Sequence, residues 1–207
     1  MNFIDVIKNT ADCLENILVS QSDVLETLPT EDFGWSNMRY ASKQFRLAHI
    51  ERFVQPQFAV LHMVVWPYVN DPCPIFGFDI IASESKATGL FFDLSPTVET
   101  WGPLCDRQFE HVRDRPEWGS IFSPHWIACR PSLEEAQYVS VCAQDWLTKL
   151  MATLSTRSHV DVHGIVQAQN AYSINQRRNE HTTRVILKLL GPQRGQHFIE
   201  NILFPTI

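Results

Sequence analysis

A chain of 207 residues that is 44% hydrophobic and 19% charged carries enough apolar side chain for one compact domain with a sizeable core. Seventeen basic against twenty-three acidic residues leave a formal charge of −6, which argues against a nucleic-acid binder relying on a general phosphate-attracting field. Any basic docking surface has to be local.

The opening stretch scatters Asp5, Lys8, Asp12 and Glu15 among its apolar residues, so it has neither the continuous apolar core of a signal peptide nor a membrane span. A cytoplasmic protein without membrane association is expected. Within that stretch Phe3, Ile4, Ile7, Ala11, Leu14, Ile17 and Leu18 fall at helical spacing and predict an amphipathic first helix, with a break marked by Thr27, Pro29 and Thr30. Between Trp35 and Leu94 the pattern changes to short runs rich in β-branched and aromatic residues, separated by turns such as Gln55-Pro56-Gln57 and Asn70-Asp71-Pro72. These runs predict a meander of about five strands. FAVLHMVVW (58–66) is apolar on both of its faces and reads as a central strand covered on both sides.

After Pro96 the pattern predicts a loop, a short helix through Asp106 to Arg113, and a short strand around Trp126 to Arg130 that Pro131-Ser132 ends. Ser132 followed by Glu135 forms a capping-box start for a helix through Leu133, Val139, Cys142, Trp146 and Leu150. A further helical stretch covers Ile165 to Leu190, broken near Asn175 to Asn179, and Gly191-Pro192 stops it before a last short helix. Strands gathered in the middle and helices at both ends predict one domain over residues 1–207, a three-layer α/β/α sandwich with a central antiparallel sheet.

The five cysteines, Cys13, Cys73, Cys105, Cys129 and Cys142, are odd in number and widely spaced, so reduced and mostly buried thiols are expected. The chain contains no H-E-x-x-H, G-x-G-x-x-G or Walker motif, which leaves zinc, dinucleotide and nucleotide readings without their usual support. A redox enzyme of this composition takes its electrons from outside.

Three strand runs carry polar groups: LAHIERF (47–53), LHMVVW (61–66) and FGFDIIA (76–82). Alternation places His49 and Glu51 on one face of the first, while His62 interrupts the second and Asp79 the third. If these strands are neighbours, two carboxylates and two imidazoles meet in one cavity, where coupled acids and bases acquire displaced pKa values suited to proton transfer. The bland alternative stands beside this: a buried strand histidine is more often a satisfied core group than a catalyst, and Glu51 suits a solvent-facing position equally well. Asp79 is harder to dismiss, because an ionised carboxylate in a doubly covered strand is costly unless paired. Arg130, in ACRPS, is placed either to fork onto a carboxylate ligand or to lie on the surface. The basic run from Asn175 to Arg184, with Lys188 and Arg194, reads as a solvated face, a pocket lining or a patch for an acidic partner.

The runs QFRLAHIE (44–51), VLHMVVWP (60–67), PIFGFDIIA (74–82), DLSPT (93–97), PEWGSIFS (116–123), CRPS (129–132) and NEHTTRVILKLLG (179–191), with ILF near the end, occur in an order that resembles the ferredoxin-dependent bilin reductases. The resemblance spans roughly Gly34 to the C-terminus and is strongest to the phycocyanobilin-forming branch and its short phage-type relatives. It implies His62 and Asp79 as the catalytic pair and Glu51 as a third proton donor. His49, Arg130, Tyr172, Asn179, Glu180 and His181 are implied as substrate contacts, with Glu180 and His181 standing where the family commonly has Asp and Lys. The implied reaction is a four-electron reduction of biliverdin IXα to phycoerythrobilin or phycocyanobilin by radical steps. Electrons come singly from an external two-iron ferredoxin, and the protein, expected to be a monomer, binds no metal or other cofactor of its own. A non-catalytic bilin carrier or lyase-like protein is the alternative.

Overall fold

In the computed structural model, which describes residues 1–20, 22–28, 34–98, 117–123, 126–153 and 161–207, seven strands pair in the order in which the chain makes them. They are β1 (Asp23–Leu28), β2 (Trp35–Ala41), β3 (Phe45–Gln55), β4 (Phe58–Pro67), β5 (Ile75–Ser83), β6 (Ala87–Ser95) and β7 (Ile127–Cys129), and each pairing is antiparallel. The five strands of the expected meander are β2 to β6, and β4 lies at the centre, as its doubly apolar sequence requires. β1 was not expected: the chain is already extended at Asp23–Leu28, before the break placed at Thr27, and a register irregularity between Val24 and Glu26 interrupts the short alternation that would signal it. The expected helix over 106–113 lies outside the described residues.

On one face of the sheet Ile50, Met63, Phe78 and Phe92 stand directly opposite one another, each at most 2% exposed. This apolar row packs under α1 (Phe3–Val19) and α2 (Leu133–Thr153) in one continuous core, each such side chain contributing about 1.5–3 kcal/mol. Asn2 and Asp5 form a reciprocal capping box at the start of α1, both bonds 2.9 Å. Arg52 of β3 pairs with Asp12 and Glu15 of α1, and Glu15 also accepts from the Tyr40 hydroxyl, so polar contacts clamp the helix to the sheet rim. At α2 the expected Ser132–Glu135 box is present: Ser132 N–H donates to Glu135 Oε2 (2.8 Å) and Glu135 N–H to Ser132 Oγ (3.2 Å).

The opposite face is covered by α3 (Val162–Gln176), α4 (Glu180–Leu190), α5 (Pro192–Phe198) and a π-helical turn over Ile199–Leu203. Helices on both faces of an antiparallel sheet make the expected α/β/α sandwich. Here Trp35, Leu47, Val64, Trp66 and Ile75 of the sheet pack with Ile186, Phe198, Ile202, Leu203 and Phe204. α3 buries a largely polar stripe, Ile165, Gln169, Ser173 and Gln176, whose polar members donate to the carbonyls of Pro67 (3.0 Å), Pro205 (2.8 Å) and Ile121 (3.3 Å) respectively. Arg177 donates to the carbonyls of Phe204 and Glu200, so one residue of the basic run is a clamp for the C-terminal segment and not part of a docking patch.

Gly34 opens β2 with φ +70, its carbonyl accepting the Val54 N–H at 2.8 Å; a Cβ there would lie 2.3 Å from the Val54 carbonyl oxygen. Of the four described cysteines, Cys73 and Cys129 are buried, Cys142 is half-buried and Cys13 is exposed. Among the described residues no helix is long and apolar enough to cross a membrane.

Candidate active site

Shifting one residue along each strand from the apolar row turns the side chains to the other face. There Glu51 of β3 stands opposite His62 of β4, His62 opposite Asp79 of β5, and Asp79 opposite Phe91 of β6. The three polar runs singled out in the sequence are thus adjacent strands, and their acids and base form one transverse row. His62 Nδ1 lies within hydrogen-bonding distance of Asp79 Oδ1 at 2.6 Å, while His62 Nε2 is buried with no hydrogen-bond partner among the described residues. Burial by itself disfavours the charged imidazole, but the charge and hydrogen bond of Asp79, followed by the charge of Glu51, outweigh it and raise the His62 pKa above its ordinary value. Burial also raises the Glu51 carboxyl, with Asp79 adding to the effect, against the lowering pull of His62 and of the Trp35 indole N–H that donates to Glu51 Oε1 at 2.6 Å. A base made more basic and an acid made less acidic lie side by side, which suits proton delivery near neutral pH.

These three residues form the floor of a cavity of about 440 Å³, within the range of small-molecule sites. Phe91, Trp118 and Phe122 make one end. Phe91 and Phe122 stack within 6° of parallel at 5.9 Å, and Trp126 backs Phe122 at 4.7 Å. The segment carrying Trp118 and Phe122 is pinned to the sheet by buried Asp93, which accepts from both the backbone N–H (3.2 Å) and the hydroxyl of Ser123. The helical wall presents Gln176, Asn179, His181, Thr182 and Ile186. Val185 and Leu189 also line the cavity yet remain 56% and 41% exposed, so this side is open and a flat apolar ligand would cover them.

Of the residues expected from sequence, Glu51, His62, Asp79, Asn179 and His181 line the cavity. Asn179 caps α4, accepting from the N–H groups of His181 (3.2 Å) and Thr182 (3.4 Å), and the His181 ring meets the Trp118 edge at 5.9 Å. His49 lies fully buried beside the row, its ring 6.0 Å from that of His62 and its Nε2 2.9 Å from Asn37 Oδ1. An amide oxygen only accepts, so His49 Nε2 carries the proton; burial first, then the charges of His62 and Arg39, hold this imidazole well below its ordinary pKa and neutral. Tyr172 sits behind the row, its hydroxyl 3.2 Å from where a Cβ on Gly77 would be, and burial with Asp93 and Asp79 nearby keeps the phenol protonated. Arg130 and Glu180 are exposed and are not part of the cavity lining. Sequence reasoning missed Trp35, Asn37, Phe91, Trp118, Phe122 and Gln176. The alternation in GLFFDLS marks Phe91 as facing the same side as Asp93, but nothing local ties Trp35 to Glu51.

The model of the ferredoxin-dependent bilin reductases matches residues 20–205. The chain belongs to this family. It is 33% identical to the phycocyanobilin:ferredoxin oxidoreductase of Prochlorococcus marinus strain MIT 9313, over 92% of this chain and 77% of that one. It is 29% identical to the protein of the same name from Trichodesmium erythraeum strain IMS101, over 82% of this chain and 76% of the other. Among solved structures, a PcyX protein superposes with TM-score 0.70 at 23% identity, over 96% of this chain and 98% of that one. Tomato phytochromobilin synthase, solved in complex with biliverdin, superposes with TM-score 0.71 at 14% identity, over 95% of this chain and 82% of the other. These structures share the fold. As a ferredoxin-dependent bilin reductase, the protein is an oxidoreductase whose electrons come from ferredoxin. Among the described residues no group of three or more His, Cys, Asp or Glu side chains is arranged to hold a metal ion.

Proposed function

We propose that this single-domain, monomeric enzyme reduces biliverdin IXα by four electrons to a phycobilin, phycoerythrobilin or phycocyanobilin, through proton-coupled single-electron steps. The observation that carries this reading is the Glu51–His62–Asp79 row on the floor of a largely apolar cavity. Adding an electron to a conjugated tetrapyrrole raises its basicity, so each electron calls for a proton at a defined position. Asp79 and His62 act as a coupled donor pair, with the unpartnered His62 Nε2 available to the pigment, and Glu51 is a third donor one strand away. Electron donation by an external two-iron ferredoxin removes the need for a resident flavin, nicotinamide or metal.

Asn179 and His181 contact the substrate from the helical wall. His49 acts from beside the row through His62, and Tyr172, packed from α3 against Gly77 and outside the cavity lining, supports the strand that carries Asp79. Arg130, being exposed, reaches the pigment only at a propionate end, and Glu180 contacts the substrate from the start of α4. Exposed Arg178, Arg184 and Lys188, on or beside the helix whose other side lines the cavity, support docking of an acidic ferredoxin there.

The test is an anaerobic absorbance time course of the protein with biliverdin and reduced ferredoxin, followed by chromatography against authentic bilins. A new product establishes the reaction and its identity names the phycobilin. Tight binding of unchanged pigment, under conditions in which a related reductase turns over, would make the protein a carrier instead.

A further inference from the structure

Glu51 is held by a residue from the neighbouring strand. The indole N–H of Trp35, at the start of β2, reaches diagonally to the adjacent β3 and donates to Glu51 Oε1 at 2.6 Å. Trp35 is itself only 5% exposed, and the Phe198 ring of α5 meets it edge-on at 5.1 Å, so the donor cannot swing away without unpacking the C-terminal helix. We propose that Trp35 is the positioning residue of this site: its indole N–H fixes the Glu51 side chain under the pigment and favours its ionised form between proton deliveries. The proposal rests on the reading of Glu51 as a proton donor.

The groups around Glu51 make this one contact decisive. The titratable residues facing it are His62 on β4 and Asp79 on β5, with His49 two residues back on its own strand and Arg39 opposite His49 on β2. From β2 it is also opposed by neutral Asn37, which is turned to His49. α5 and the turn after it present apolar Phe198, Leu203 and Phe204. Within this set the Trp35 N–H is the one neutral donor to Glu51 seen among the described residues, and it favours the carboxylate whatever the charge on His62. Without it, burial and Asp79 would favour the neutral acid, and the side chain would lose the contact that sets its direction.

The experiment is Trp35→Phe, which keeps an aromatic ring against Phe198 and deletes only the donor. The Glu51 carboxyl is followed by carbon NMR of glutamate-labelled protein, its signal identified by loss in Glu51→Gln, and the pH profile of biliverdin reduction is measured in parallel. Loss of a charge-assisted hydrogen bond should move the Glu51 midpoint up by about one pH unit. The limb of the rate profile that disappears in Glu51→Gln should move with it, and Trp35→Phe should leave the profile of Glu51→Gln unchanged. Phe198→Leu, which keeps the donor and loosens only its packing, should move the midpoint by less than Trp35→Phe does; an equal or larger shift overturns the proposal. A Glu51 midpoint that stays put in folded Trp35→Phe overturns the proposal. A midpoint that moves while the rate profile does not upholds the hold of Trp35 on Glu51 and overturns the catalytic reading of Glu51.

Discussion

His62 Nδ1 lies 2.6 Å from Asp79 Oδ1, on residues directly opposed across β4 and β5. Both strands are central, so register holds the two Cα positions opposite one another and the pair is in contact before any pigment arrives. Asp79→Asn preserves size and most of the packing while removing the acid. It should bind biliverdin with little change and lower single-turnover reduction at least about 100-fold, the usual scale for losing a positioned acid or base. Pigment titration and stopped absorbance under anaerobic conditions check the two halves; full turnover in the variant would remove Asp79 from the mechanism.

The two neighbouring histidines should affect stability with opposite sign. His62 has a folded pKa raised above 6.5, so its contribution is fully present below the unfolded value and is lost as pH rises through the folded one. His49, held well below 6.5, contributes stability above its unfolded pKa that is lost as pH falls. Each proton taken up only by the unfolded chain costs about 1.4 kcal/mol per pH unit. Urea denaturation between pH 7 and 5 should therefore show a shallower acid loss in His49→Gln than in wild type, and a steeper one in His62→Gln.

Gly34 should resist replacement. With φ +70 and the Val54 carbonyl oxygen 2.3 Å from the position a Cβ would take, Gly34→Ala has to shift the β2–β3 pairing. A loss of about 2 kcal/mol is expected from the left-handed backbone and the contact together, read from the denaturation midpoint. Because Trp35 is the next residue, activity should fall along with stability.

Reversing Arg184 and Lys188 to Glu should raise the KM for ferredoxin about tenfold and weaken its salt dependence, with biliverdin affinity unchanged. Arg177→Ala should behave differently: it frees the carbonyls of Phe204 and Glu200, so melting temperature drops. Equal effects on ferredoxin KM from both changes would contradict the distinction drawn between patch and clamp.

The sheet was legible because its signals are local. FAVLHMVVWP declares a doubly covered strand within ten residues, and period-two alternation puts His49 and Glu51 on one face of theirs, while the meeting of Glu51, His62 and Asp79 also needed the strand order and register that the structure supplies. β1 was not legible, since six residues interrupted by a register irregularity offer too few repeats. α3 was read as helix but not as a buried polar stripe: Gln169, Ser173 and Gln176 look solvated in sequence and are buried only because carbonyls from distant segments await them. The cavity end formed by Trp118 and Phe122 depends on Asp93 reaching Ser123 across 30 positions of chain, which no local pattern encodes. For the same reason Arg177 was read with the exposed cations, although its acceptors are the carbonyls of a later turn.

The cavity floor comes from three successive hairpin strands, and its helical wall from residues 176 to 189, nearly a hundred positions later. The floor is bound by register: no strand can slide without turning its acid or base out of the site. The wall is bound only by packing and caps, and Val185 and Leu189 touch the cavity while still half in solvent. Under the proposed function, chemistry and pigment choice would therefore be written in separate stretches of the gene, so that substitutions along α4 would retune which bilin is held, and in what orientation, while the row of acids and base beneath is inherited intact.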